Sequence, residues 1–353
     1  MSEVVLITGV SRFLGVRLAA QLAADPSIER IIGIDTVAPA AQDLLQLGRT
    51  EFVRADTRNP LITNVFAQGR VTTVVHAALL SSPLAGGGRV AMQEMNVIGT
   101  MQLLAACQKS ETLRRVVLRS TAAVYGSGSG YPAIMTEDDP TRGGAGRGYP
   151  KDAAEIESYV RGFARRRPDV EISVLRLAKL IGPTIDNQLA RYLRSPVVTT
   201  IAGYDPRVQL LHESDAVEVL RLATVGSRPG TVNVAGDGVL TLDQAIRRAG
   251  RTRIAVPGSA LSAVGRLLGN NAAAELRAED ANWLRFGRAV DTTRLHTTFG
   301  YTPRYSTDEA LDSFLVGIRH TPRIALGTLG VGSALLQARR ERRGPLTGAH
   351  EGV

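Results

Sequence analysis

Two short stretches hold residue types whose spacing could do chemistry. TGVSRFLG at positions 8–15 follows an apolar run, and Asp35 closes the next apolar run about 20 residues later. Glycine permits a tight turn, a following helix N-terminus offers unpaired N–H groups to a phosphate, and a strand-end carboxylate accepts hydrogen bonds from a ribose. Gly9, Arg12, Phe13, Leu14 and Gly15 are therefore candidate dinucleotide contacts, with Asp35 on the ribose. Such a carboxylate repels a 2′-phosphate, which favours NAD over NADP. Arg12 stands where a third glycine is usual; its side chain either crowds an approaching phosphate or pairs with it. The bland alternative is an ordinary βα turn beside a solvated aspartate.

The second stretch is RGYPKDAAEIE at 147–157. Lys151 and Glu155 are four residues apart, so on a helix they share one face. The chain has three lysines, Lys109, Lys151 and Lys179, among 42 basic residues. A chain that prefers arginine this strongly keeps lysine where a compact ammonium serves, or by chance. Pro150 fits a first helical position, which predicts a helix over 151–166 and puts Tyr149 at or before its cap, turned away from Lys151.

These residues need elements to position them. EVVLIT (3–8), IIGID (31–35), EFVRAD (51–56), TTVVHAA (72–78), RRVVLRS (114–120) and EISVLRL (171–177) are short apolar runs with helical patterns between several of them, such as 14–24 and 90–108. That alternation predicts an α/β fold, a Rossmann-like doubly wound parallel sheet with a smaller C-terminal substrate-binding lobe. The expected division is a dinucleotide domain over 1–180, to which 205–240 returns, and a smaller lobe from 181–204 and 241–322. Residues 323–353 read as a loosely ordered basic tail containing ARRERR.

Composition narrows the classes further. One cysteine, Cys107, leaves no intrachain disulfide and no Cys-rich metal site. No apolar run approaches the roughly 18 residues that span a bilayer, and no leader pattern precedes the first strand, which together predict a cytoplasmic protein. The net charge of +9 is dispersed and aromatics are only 5%, so anionic small molecules fit better than specific nucleic-acid recognition.

As an ordered set, TGVSRFLG, Asp35, RAD (54–56), VVHAA (74–78), NVIGT (96–100), STAAVYG (120–126), KDAAE (151–155), RLAKLIGP (176–183), LLHESDAV (210–217) and VNVAGDG (232–238) resemble the extended short-chain dehydrogenase/reductase superfamily. Within it the chain is similar to the NAD-dependent epimerase/dehydratase branch, and most of all to UDP-glucose 4-epimerase-like proteins. The resemblance implies that Asp56 sits beside adenine, that Ala77 and Ala78 line the dinucleotide, and that Asn96 supports the active-site helix. It implies further that Thr121 is the catalytic Ser/Thr, and that Lys151 holds the nicotinamide ribose and lowers the pKa of a catalytic tyrosine.

That tyrosine, four positions before the lysine, is replaced by Arg147, and the family's substrate-facing asparagine by Lys179. Arg147 and Lys179 become candidate contacts to substrate phosphate. Either Tyr149 folds back into the site or Lys151 itself acts as the base with Thr121. The expected function is an NAD-dependent oxidoreductase or epimerase acting on a nucleotide diphosphate sugar, in a homodimer. The alternative is a catalytically silent NAD-binding sensor or scaffold. The retention of Thr121 and Lys151 favours the enzyme.

Overall fold

Val4, Val5, Leu6 and Ile7 form a strand with no polar side chain to turn outward, as a strand covered on both faces must be. In the computed structural model, which describes residues 3–60, 62–82, 88–145, 148–267, 273, 275, 276 and 282–318, it is an interior strand of the main sheet. The first half runs β1 (Glu3–Thr8), α1 (Phe13–Ala23), β2 (Ile28–Asp35), α2 (Ala41–Leu44), β3 (Glu51–Arg54), α3 (Ile62–Gly69), β4 (Thr73–His76), α4 (Arg89–Gln93), α5 (Gly99–Lys109) and β5 (Arg115–Thr121). Then come α6 (Tyr149–Arg166), β6 (Glu171–Leu177), β7 (Lys179–Ile181), α7 (Gln188–Arg194), β8 (Val197–Ile201), β9 (Arg207–Val208), β10 (Leu210–His212), α8 (Glu213–Val225) and β11 (Gly230–Val234).

Seven of these strands make one parallel sheet in the order β11-β6-β5-β4-β1-β2-β3. The order reverses between β1 and β4, whose ends pair Thr8 with His76. A crevice opens at such a reversal beyond the strand ends, so the fold itself dictates where a ligand goes. The strand runs expected from the sequence all appear within a few residues, and the Rossmann-like α/β class is as expected.

A second apolar core gathers Leu189, Tyr192, Leu193, Val198, Ile246, Trp283 and Phe314. Around it lie three small sheets, including the parallel pair β7 and β10 and the pair formed by β8 with Thr252–Val256. Leu210 belongs to this second core and its neighbour Leu211 to the first, so β10 passes from one core to the other. Arg147 and the expected tail over 323–353 lie outside the described residues.

One boundary is corrected. The helix expected from 151 starts at Tyr149, capped by Gly148 at φ 83°. A glycine in that conformation turns the chain within one residue, and Pro150 then takes the second helical position, where an N–H has no intrahelical partner anyway. Tyr149 is therefore inside the helix.

Candidate functional site

Because α6 begins at Tyr149, residues 149, 153 and 157 lie on one face, each pair four apart. Tyr149, Ala153 and Glu157 are all buried. Glu157 shows which way that face points. It accepts from Ser120 Oγ at 2.6 Å and from Arg176 Nη2 at 2.7 Å, so it is pinned to β5 and β6. Arg176 Nη1 donates to Tyr125 Oη at 2.7 Å, and Tyr125 Oη donates to Asn233 Oδ1 at 2.7 Å. Burial opposes the Arg176 charge, but the hydrogen bonds and charge of Glu157 outweigh it and hold the guanidinium above its usual range. Burial pushes the Tyr125 phenol up to about 12, which suits a structural donor and not a base.

At the top of that face Tyr149 enters a cavity of about 290 Å³. Arg12, Phe13 and Leu14 from the glycine turn line it, with Ala77, Thr121, Lys179 and Tyr149 from elsewhere in the chain. Lys151 does not: it is exposed, about 200° round the helix from Tyr149. Glu155 on that side accepts from Tyr159 Oη at 3.0 Å. The expectation that Lys151 and Glu155 face the site while Tyr149 turns away is thus corrected: Tyr149 lies inside the helix, and Glu157, pinned to β5 and β6, sets the face that carries it. One turn from Tyr149 stands Ala153.

A second set of bonds fixes the start of α6. Arg89 donates to both oxygens of the fully buried Asp152, at 2.6 and 2.7 Å, and to Gly148 O at 2.9 Å. Asn96, in a π-helical turn over Glu94–Ile98, donates to Asp152 Oδ2 at 3.3 Å and to Leu80 O at 2.9 Å. Asn96 therefore ties α6 to the chain after β4. Thr121 caps the short helix Ala122–Tyr125, its Oγ1 accepting from Ala123 N at 3.2 Å.

Around the glycine turn, Gly9 has φ 73°, and a Cβ there would lie 2.8 Å from Ala78 Cα. A Cβ on Gly15 would lie 2.1 Å from Gly9 O. Both glycines are required by close backbone approach. Asp35 accepts from Thr36 N at 2.8 Å and Ser11 N at 3.3 Å, and lies 3.7 Å from Arg12 Nε. Asp56 is engaged by Arg58 at 2.6 Å, whose hydrogen bonds hold it below the usual carboxylate range. Gly9, Gly15, Asp35, Asp56 and Ala78 are not among the residues of the cavity wall.

The sequence reading missed several wall residues: Arg119, Arg288, Asp186, Gln188, Gln209 and Trp283. Lys179 Nζ lies 5.0 Å from the Trp283 ring centroid, a cation–π contact. Arg12, Arg119, Lys179 and Arg288 set four cations against the single wall carboxylate of Asp186. Burial holds the Arg12 guanidinium below its usual range, Asp35 opposing and the charge of Arg119 adding to the effect.

A model of the NAD dependent epimerase/dehydratase family matches residues 5–235. The chain belongs to that family. An uncharacterized protein of Mycobacterium tuberculosis is 49% identical over 322 residues, covering 91% of this chain and 86% of its own. A UDP-glucose 4-epimerase of Mycolicibacterium smegmatis is 27% identical, over 51% of this chain and 57% of its own.

Among solved structures, dTDP-glucose 4,6-dehydratase of Bacillus anthracis in complex with NAD has a TM-score of 0.69 at 18% identity, covering 90% of this chain and 96% of that one. UDP-glucose 4-epimerase of Thermotoga maritima with UDP-glucose has a TM-score of 0.68 at 18% identity, covering 90% and 98%. These likenesses fix the epimerase/dehydratase fold. The residues present fit the family's dinucleotide: the cradle at Gly9 and Gly15 leaves no room for a Cβ, and Arg12 and Arg119 each bury an Nε with no hydrogen-bond partner. No helix among the described residues is long and apolar enough to cross a membrane, and they hold no cluster of metal-ligating side chains.

Proposed function

We propose that this protein is an NAD-dependent oxidoreductase of the epimerase/dehydratase type, acting on a nucleotide diphosphate sugar with Tyr149 as the proton-transfer residue. The observation that carries the reading is the burial of Tyr149 in the same cavity wall as Thr121, Arg12 and Lys179. NAD, when bound, supplies a two-electron acceptor. Tyr149 Oη takes the proton of the sugar hydroxyl and holds it for return. Thr121 Oγ1 already accepts from Ala123 N, so its own hydrogen is left to donate to that hydroxyl oxygen. Lys179 and Arg288 bind the anionic nucleotide portion, for which a wall of four cations and one carboxylate is suited. The protein acts in the cytoplasm as a homodimer, and Lys151 and Arg147 take no part in proton transfer.

A second reading has one specific observation behind it. Ala153 stands one turn from Tyr149, so α6 itself supplies no ammonium at the position from which a lysine would favour the ionised phenol. On that reading the protein holds NAD as a sensor or scaffold and turns nothing over. The deciding experiment is to purify the protein, measure bound NAD(H) by absorbance and fluorescence, and incubate it with UDP-glucose, UDP-galactose and dTDP-glucose. Interconversion or dehydration supports the enzyme; bound NAD with no change in any sugar supports the silent protein.

A further inference from the structure

Arg119 is a charged residue near the end of β5, directly after its apolar run VVL (116–118). Alternation along β5 puts it on the face opposite Ser120, whose hydroxyl goes to Glu157 on α6. Its Nη1 donates to Leu79 O at 2.8 Å, which fixes the guanidinium against the chain after β4. Its Nε is buried and makes no hydrogen bond, and among the described residues no carboxylate comes within ion-pair distance of it.

Arg12 repeats the pattern from another element. It is the N-cap of α1 with backbone extended at φ −104° and makes no capping bond with its side chain. Its Nε is likewise buried without a hydrogen bond, and Asp35 at 3.7 Å balances only part of its charge. Both arginines line the same cavity. Two guanidinium groups that repel each other and line one space, each with a buried donor left unfilled, make a site whose missing component is an anion of more than one charge.

We propose that Arg119 and Arg12 form a clamp on the diphosphate of the dinucleotide, so that this chain draws from a strand and a helix cap the cofactor-holding charge that α6 does not deliver into the cavity. The inference rests on the dinucleotide part of the proposed function and is independent of turnover. The free N–H groups at the start of α1 add to the same site. The diphosphate of a nucleotide sugar has the same chemistry, but the clamp stands at the glycine turn, beside the aspartate suited to a ribose, and Lys179 and Arg288 serve the other end.

Titrating the full chain with ADP-ribose, which has the diphosphate and no nicotinamide, tests the clamp by calorimetry. Arg119→Ala should weaken ADP-ribose and NAD by the same factor, roughly tenfold to a hundredfold. Arg119→Lys should fall between, and Arg12→Ala should be non-additive with Arg119→Ala. Wild-type affinity for ADP-ribose should drop steeply with added salt, and less steeply in Arg119→Ala. This salt series on the unaltered protein stands even where a variant fails to fold.

Unchanged ADP-ribose binding with weakened NAD binding would move Arg119 to the nicotinamide and overturn the clamp. Loss of UDP-glucose binding with ADP-ribose unaffected would overturn it in favour of the substrate, and so would a salt-independent wild type. A wild type that binds no ADP-ribose overturns both the clamp and the dinucleotide reading. Absence of turnover with tight ADP-ribose binding overturns only the enzyme.

Discussion

Glu157 accepts from Arg176 Nη2 at 2.7 Å, and this pair determines which side of α6 faces the cavity. Both partners are almost fully buried, at 2% and 4% exposure, and Ser120 supplies a further donor to the carboxylate. Two turns above, on the same face, is Tyr149. The ion pair therefore sets the helix rotation that delivers the phenol.

Breaking that pair from one side leaves an uncompensated charge in the interior. Arg176→Met should lower unfolding free energy by about 3–5 kcal/mol. Replacing both partners, Arg176→Met with Glu157→Leu, should recover part of the loss, because no orphan charge remains. Urea unfolding followed by circular dichroism measures both.

Lys151 is exposed and points away from the cavity. Lys151→Ala should change stability by less than about 0.5 kcal/mol, and should leave NAD content and turnover near wild type. Activity lost in this variant, with NAD still bound, would return the lysine to the site and contradict the helix face described above.

Much of the fold was legible in the sequence because strands covered on both faces read as unbroken apolar runs, and a helix must carry the chain between parallel neighbours. The glycine turn and the strand-end position of Asp35 were legible for a similar reason, since both placements depend on local backbone geometry. The start of α6 was not. A proline was read as the first helical residue, and the sequence gives no sign that Gly148 at positive φ lets the helix begin at Tyr149. With Tyr149 inside the helix, the rotation set by Glu157 and Arg176 puts it, and not Lys151, in the cavity wall.

The network from Glu157 through Arg176 and Tyr125 to Asn233 joins residues far apart in the chain, so no spacing rule could assemble it. Arg119 did carry a signal, a charge directly after the apolar run VVL (116–118) and near the expected ligand crevice. Trp283 and Arg288 carried none, coming from a segment whose fold has no strong period.

His76 gives a pH dependence with a definite sign. Thr100 Oγ1 donates to Asn96 O at 2.5 Å and so accepts from His76 Nε2 at 2.8 Å, which makes Nδ1 the acceptor from Thr8 Oγ1 at 2.7 Å. The ring is thus held neutral. Burial, with the charge of Arg119 adding, pushes its pKa down to about 4 from an ordinary 6.5. Between those values the unfolded chain binds the proton and the folded one does not, so the stability from this residue is full above about pH 6.5 and is lost as pH falls toward 4. The loss by pH 4 should reach roughly 3 kcal/mol. His76→Gln, which keeps one donor and one acceptor, should flatten that part of the stability profile; an unchanged slope would assign it to other groups.

The central claim is that Tyr149 moves the proton in a cavity that binds NAD and a nucleotide sugar. The most direct measurement is turnover of the sugar substrate by Tyr149→Phe beside wild type, with bound NAD quantified in both. The account predicts a fall of about 10²- to 10⁴-fold in turnover with NAD content unchanged. A Tyr149→Phe protein as active as wild type would contradict it.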